Sequence, residues 1–139
     1  NLLTQMANCC QPAPGDEIIG YITVGRGVSI HRKDCNNVLN MDEEQIKRLV
    51  EVDWESELQV TYPVDIEIEA FDRKGLLVDI YSLLSNENVN IVATNTLSDK
   101  QNHTARFDLT IEVSDIDQLS LLLNRINQLQ NILEVRRRQ

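Results

Sequence analysis

Apolar and polar positions set two different rhythms along this chain. From Val64 the rhythm is regular. Ile66, Ile68 and Ala70 alternate with Asp65, Glu67 and Glu69, which predicts a half-buried strand. After Asp72-Arg73-Lys74-Gly75, the residues Leu76, Leu77, Ile80, Leu83 and Leu84 recur at helical spacing. The run "VNIVATNTL" returns to strand character, and "TARFDLTIEV" alternates Ala105, Phe107, Leu109, Ile111 and Val113 with polar partners. Ser114 or Asp115 caps a second helix that carries Ile116, Leu119, Leu122, Leu123, Ile126 and Leu129, and "ILEVRR" closes as a strand.

This order, βαββαβ, predicts an α+β, ferredoxin-like arrangement of one antiparallel sheet with two helices on one face. Such a fold hosts many functions and by itself assigns none. An RNA-binding sheet of the RRM type is excluded on chemistry: it needs exposed aromatics for base stacking, and the outward positions here are Asp65, Glu67, Glu69, Asp108 and Glu112.

Ahead of this unit the pattern is shorter. Ile18 to Val24 and Val28 to Ile30 flank Gly25-Arg26-Gly27, which reads as a hairpin continuing into "HRKDC". Asn40 with Glu43 predicts a capping box for a short helix bearing Ile46, Leu49 and Val50. "VEVDW" then reads as a short strand with the sole tryptophan, Trp54, and Pro63 marks the entry to the next element. The apolar inventory of this first part is thin, so it needs a neighbour or a metal. We therefore expect a small metal-capable hairpin and helix unit over 1–58 and the ferredoxin-like unit over 59–139.

Composition narrows the class. An apolar fraction of 42% in 139 residues fits a folded chain. No stretch approaches the ~20 apolar residues that span a bilayer, so no membrane partner is expected. The chain opens at Asn1 rather than Met, as a piece of a longer protein would. The net charge of -9 is uneven: residues 1–40 are neutral, 41–63 carry -5 and 64–139 carry -4. That balance disfavours general nucleic-acid binding but leaves room for a local contact from the neutral first part.

Cys9 and Cys10 stand side by side, and His31 and Cys35 lie four apart further on. Three thiols and one imidazole are ligand types that zinc prefers, and together they would close a tetrahedral structural site. The same residues can instead be buried thiols that pack as small hydrophobes, with His31 satisfied at a strand end. The odd number of cysteines and the poor bridging geometry of adjacent ones favour reduced thiols and a cytoplasmic setting. Nucleophilic catalysis by Cys35 with His31 lacks an orienting carboxylate and an oxyanion loop, so no catalytic residue is assigned. Gly25-Arg26-Gly27 is too short for a phosphate loop. Arg26 is a solvated turn residue or an arginine aimed at a phosphate-lined groove. Asp72 to Leu76 is either a helix entry capped by Asp72 or a ligand loop in which Gly75 frees the backbone.

The segment "CCQPAPGDEIIGYITVGRGVSIHRKDC" resembles the conserved-cysteine region of the long RelA/SpoT-family enzymes, the synthetases and hydrolases of (p)ppGpp: a CC pair, twenty intervening residues, then H-x-x-x-C. "DRKGLLVDI", "NVNIVATNT" and "LEVRRR" resemble the ACT domain of the same family, and the "GRG" and "DR-GLL" stretches are closer to its RelA type. The resemblance implies a regulatory region of a stringent-response GTP pyrophosphokinase without a catalytic centre, its enzymatic domains lying elsewhere in the parent. It implies a zinc-finger-like domain with Cys9, Cys10, His31 and Cys35 as ligands, and contact with ribosomal RNA near the A-site while uncharged tRNA is sensed. Arg26, Arg32 and Lys33 are then the candidate phosphate contacts. ACT domains also dimerise and bind amino acids, which makes Asp72, Arg73, Gly75 and Leu76 a candidate ligand loop and homodimerisation an alternative role. In this chain a lysine, not a proline, precedes the loop glycine.

Overall fold

The computed structural model describes residues 4–25, 27–54 and 61–138. Arg26 and the expected boundary after residue 58 lie outside the described residues. The element order is β1 (Thr4–Met6), β2 (Ile18–Thr23), β3 (Gly27–Arg32), α1 (Asn36–Leu39), α2 (Glu43–Ile46), β4 (Leu49–Val50), β5 (Tyr62–Phe71), α3 (Leu76–Asn86), β6 (Asn90–Asp99), β7 (Thr104–Val113), α4 (Ile116–Asn127) and β8 (Ile132–Arg137). They form two four-stranded sheets, ordered β1-β3-β2-β4 and β6-β7-β5-β8.

The second sheet follows its sequence pattern closely. β5 pairs antiparallel with β7 along its whole length, from Tyr62 opposite Val113 to Phe71 opposite Thr104. Period-two alternation therefore puts Val64, Ile66, Ile68, Ala70, Phe107, Leu109 and Ile111 on one face, where α3 and α4 bury them with Leu76, Ile80, Leu84, Leu122 and Ile126. The opposite face is acidic, as expected, yet Glu67 is only 8% exposed. Arg106 and Arg136 close over it from the flanking strands at 3.2 and 3.1 Å, so the carboxylate is buried only because it is paired.

Helix ends depart from expectation in two places. The short helix α2 is capped by Asp42 with Gln45 completing the box, not by Asn40 with Glu43. Both pairs satisfy the same spacing rule, but Asn40 already serves as the C-cap of α1, its N–H donating to the Asn36 carbonyl at 3.1 Å, and Leu49 and Val50 leave the helical stripe to pair with Tyr21 and Gly20 as β4. The expected "VEVDW" strand is correspondingly reduced to its first residue, Val50. At α3 the N-cap is Gly75, with φ 82° and no side-chain cap, so Asp72 does not cap this helix. A left-handed φ there favours glycine. Asp115 does cap α4, accepting from the Gln118 N–H at 2.8 Å.

The first sheet is small, and its interior has no spare room. Its apolar cluster is Ile18, Val28 and Ile30, joined by Met6, Val50, Val52 and Trp54. A Cβ added at Gly20 would stand 2.8 Å from a Val28 methyl and 3.0 Å from methyls of Val50 and Val52. Gly20→Ala is therefore expected to cost about 1–3 kcal/mol through overpacking. Urea unfolding followed by Trp54 fluorescence checks this; an unchanged midpoint would show that the sheet relaxes freely.

Candidate metal centre

Three local features bring the cysteines and histidine together. Leaving β1, the Ala7 N–H donates to the Ile30 carbonyl at 2.9 Å, and the Gln11 N–H returns to the Ala7 carbonyl at 3.0 Å. The intervening turn holds Cys9 and Cys10 against the end of β3, whose penultimate residue is His31. Beyond β3, the Cys35 N–H donates to the Arg32 carbonyl at 3.1 Å, which folds the chain back so that Cys35 becomes the N-cap of α1.

The four ligand atoms lie within 4.8 Å of one another. Cys9 Sγ is 3.4 Å from His31 Nδ1, 3.5 Å from Cys35 Sγ and 4.0 Å from Cys10 Sγ, and Cys10 Sγ is 3.9 Å from His31 Nδ1. A tetrahedron built on ordinary Zn–S and Zn–N bond lengths has edges of about 3.8 Å between sulfurs and about 3.6 Å between sulfur and nitrogen. The residues present therefore fit zinc in both kind and spacing. Cys10 and Cys35 also pack against Ala7 and Val38, as the hydrophobic reading expects, but that packing does not account for a ring nitrogen aimed at two thiols. All three cysteines are free thiols.

A second layer of contacts, invisible to the spacing rule, orients these ligands. His31 Nε2 lies 3.1 Å from the Ser29 hydroxyl, leaving Nδ1 for the cluster. The Arg32 backbone N–H donates to Cys10 Sγ at 3.3 Å. Burial pushes the Cys10 thiol up to about 12, against the pull of that N–H. Burial also raises Cys35, but the Val38 N–H, the Cys9 thiol and the Asn37 N–H outweigh it and hold the group below the usual thiol range. Burial lowers His31, which keeps the ring neutral and ready to ligate.

The other candidate residues are dispersed. Arg32 is buried, and its guanidinium forks onto Asp34 at 2.8 and 2.6 Å. Asp34 is held below the usual carboxylate range first by that hydrogen bond and, more weakly, by the charge of Arg137 on β8. Lys33 is exposed. Asp72 and Arg73 border a cleft of about 520 Å³ with Lys74, Asp99, Lys100 and His103. Arg73 is turned onto Asp79 at 2.6 Å, Gly75 makes the turn, and Leu76 is buried in the core. No described helix is long and apolar enough to cross a membrane.

The chain is similar to known proteins along nearly its whole length. Residues 1–55 match the family model "RelA/SpoT RIS domain", and residues 58–137 match "ACT domain". The chain is 39% identical over 137 residues to the GTP pyrophosphokinase of Escherichia coli K12, covering 99% of this chain and 18% of that protein. It is also 39% identical over 137 residues to the bifunctional (p)ppGpp synthase/hydrolase RelA of Mycobacterium tuberculosis, covering 98% and 18%. The chain thus spans under a fifth of these relatives' length. The crystal structure of the ACT domain from the GTP pyrophosphokinase of Chlorobium tepidum superposes with a TM-score of 0.50 at 23% identity, over 56% of this chain and 99% of that one. Both matched segments are regulatory, and neither is a catalytic domain. The chain belongs to the ACT domain family and carries a RelA/SpoT RIS domain ahead of the ACT fold, which makes it a regulatory region of the RelA/SpoT type.

Proposed function

We propose that this chain is the ribosome-sensing and autoregulatory part of a RelA-type (p)ppGpp synthetase, with a zinc-bearing domain over 1–58 and an ACT domain over 59–139. The parent would be a cytoplasmic enzyme that transfers pyrophosphate from ATP to GTP or GDP when uncharged tRNA stalls the ribosome. The observation that carries the reading is the convergence of Cys9, Cys10, His31 and Cys35 inside the segment that matches the RIS domain. Zinc held by those four protein ligands has no open position, so it would organise the fold rather than activate water. Its role is to hold the β2–β3 hairpin rigid against ribosomal RNA near the A-site, with Lys33 and Arg26 as phosphate contacts. Arg32 contributes through the cluster, since its charge is already spent on Asp34.

A second reading, homodimerisation, is favoured by β6. This ten-residue strand ends the sheet among the described residues, and Val92 and Leu97 on it are 57% and 56% exposed. An unpaired edge of that length is a template for a second copy. The cleft beside Asp72 and Arg73 is then where an amino acid would be sensed.

One equivalent of zinc per chain is expected. Because the Cys10 thiol stays protonated at neutral pH, binding displaces protons, and affinity rises with pH from about 6 to 8. Mass spectrometry of the native chain and competition with a chromophoric chelator measure both; a chain that takes up no zinc at pH 8 refutes the metal assignment. Changing Cys9 and Cys10 together to serine in the full-length parent should abolish ribosome-stimulated (p)ppGpp synthesis while leaving unstimulated synthesis in place. Normal stimulation in a folded double variant would overturn the ribosome-sensing role. Sedimentation of the 139-residue chain should show a concentration-dependent dimer that Val92→Glu weakens; monomers throughout would remove the second reading.

A further inference from the structure

The segment that follows the cysteine pair is built into the ACT fold. Gln11, next after Cys10, is gripped twice by the second unit: its side-chain oxygen accepts the Asp65 N–H at 2.7 Å, and its carbonyl accepts Arg137 at 2.7 Å. The same Arg137 guanidinium forks onto the Asp16 carboxylate at 3.0 and 2.9 Å. Asp16 in turn accepts the Ala13 N–H at 2.9 Å, which closes residues 13–16 into a tight loop.

That loop fills a place in the second core. Ala13 is fully buried in the cluster formed by β5, β7, α3 and α4. The Pro14 carbonyl accepts the Ile116 N–H at 2.8 Å, satisfying a donor that the start of α4 would otherwise leave bare. Gly15, at φ 106°, lies so close to Ile116 that an added Cβ would approach it to 2.9 Å. Trp54 seals the other side, donating from Nε1 to the Asp16 carbonyl at 2.9 Å and meeting Tyr62 edge-on with ring centroids 5.4 Å apart. The Arg137 and Asp16 side chains are 15% and 12% exposed, so the pair is largely desolvated, and the two terminal guanidinium nitrogens find their partners only in this docked arrangement.

Resting on the metal assignment above, we infer that Arg137 is a positioning residue of the cysteine–histidine centre, so that zinc occupancy and the integrity of the ACT sheet are coupled through Gln11 and Asp16. Releasing Arg137 removes one of the two holds on Gln11 and loosens the turn that presents Cys9 and Cys10. Removing zinc frees that turn and loosens the grip of Arg137 on β8. Thermodynamic reciprocity requires both effects to have the same size.

The test uses the whole chain as wild type, Asp16→Asn, Arg137→Gln and Arg137→Lys. Zinc affinity is read by chelator competition, geometry by the ligand-field bands of the cobalt(II)-substituted protein, and coupling by amide hydrogen exchange in β5 and β8 with and without zinc. Asp16→Asn and Arg137→Gln should each weaken zinc binding by about ten-fold or more, the range found when groups supporting a ligand are removed. The cobalt bands should move in Arg137→Gln and return partway in Arg137→Lys, which keeps one charged donor. Zinc should slow exchange in β5 and β8 of the wild type and do so far less in Arg137→Gln. Wild-type zinc affinity in both Asp16→Asn and Arg137→Gln, or β5 and β8 exchange indifferent to zinc in the wild type, overturns this inference and leaves the metal assignment standing. A wild type that binds no zinc overturns both.

Discussion

The controlling constraint is that the first forty-odd residues cannot bury enough apolar surface to stand alone. Among the described residues, the buried apolar groups they gather for themselves are Ile18, Val28 and Ile30 in one place and Ala7, Cys10 and Cys35 in another, while Ala13 is buried in the second core. A unit of that size needs cross-links or a partner, because the entropy of ordering its backbone grows with every residue while its core does not. The residues for both remedies stand in place. The cysteine–histidine cluster joins three separate stretches of chain, and the 11–16 loop ties the unit to a larger core that is full of branched aliphatic side chains.

The electrostatics follow the same logic. A chain of charge -9 can hold its carboxylates together only where arginines are interleaved among them. Arg106 and Arg136 shield Glu67 on the open sheet face, Arg32 takes up Asp34, and Arg137 takes up Asp16. These four arginines are therefore committed to structure.

Where the sequence was a good guide, the reason was local periodicity. In β7 every second residue is buried, from Ala105 to Val113, because a strand packed on one face leaves no other choice. Where it misled, two local solutions were equally good. Asn40 with Glu43 and Asp42 with Gln45 both spell a capping box, and the choice fell to the preceding helix α1, which takes Asn40 as its own C-cap. β1 and α1 carried too few residues to show any period, and β1 exists only because Thr4 to Met6 can pair in parallel with Val28 to Ile30. Ser29 could have been suspected, since a hydroxyl two residues before a histidine on a strand shares its face.

By itself, then, the sequence determined which residues supply chemistry and which faces are apolar: three thiols and an imidazole, a βαββαβ alternation, and a short hairpin with little core. Those properties belong to single side chains and to their spacing. Tertiary structure brings Cys9, Cys10, His31 and Cys35 together at the distances a shared centre needs, and it alone decided that Arg137, more than a hundred residues away, grips the residue next to Cys10. Contacts of that kind close loops of chain whose ends carry no local mark of one another. They are selected only when the whole fold balances burial, charge pairing and chain entropy together.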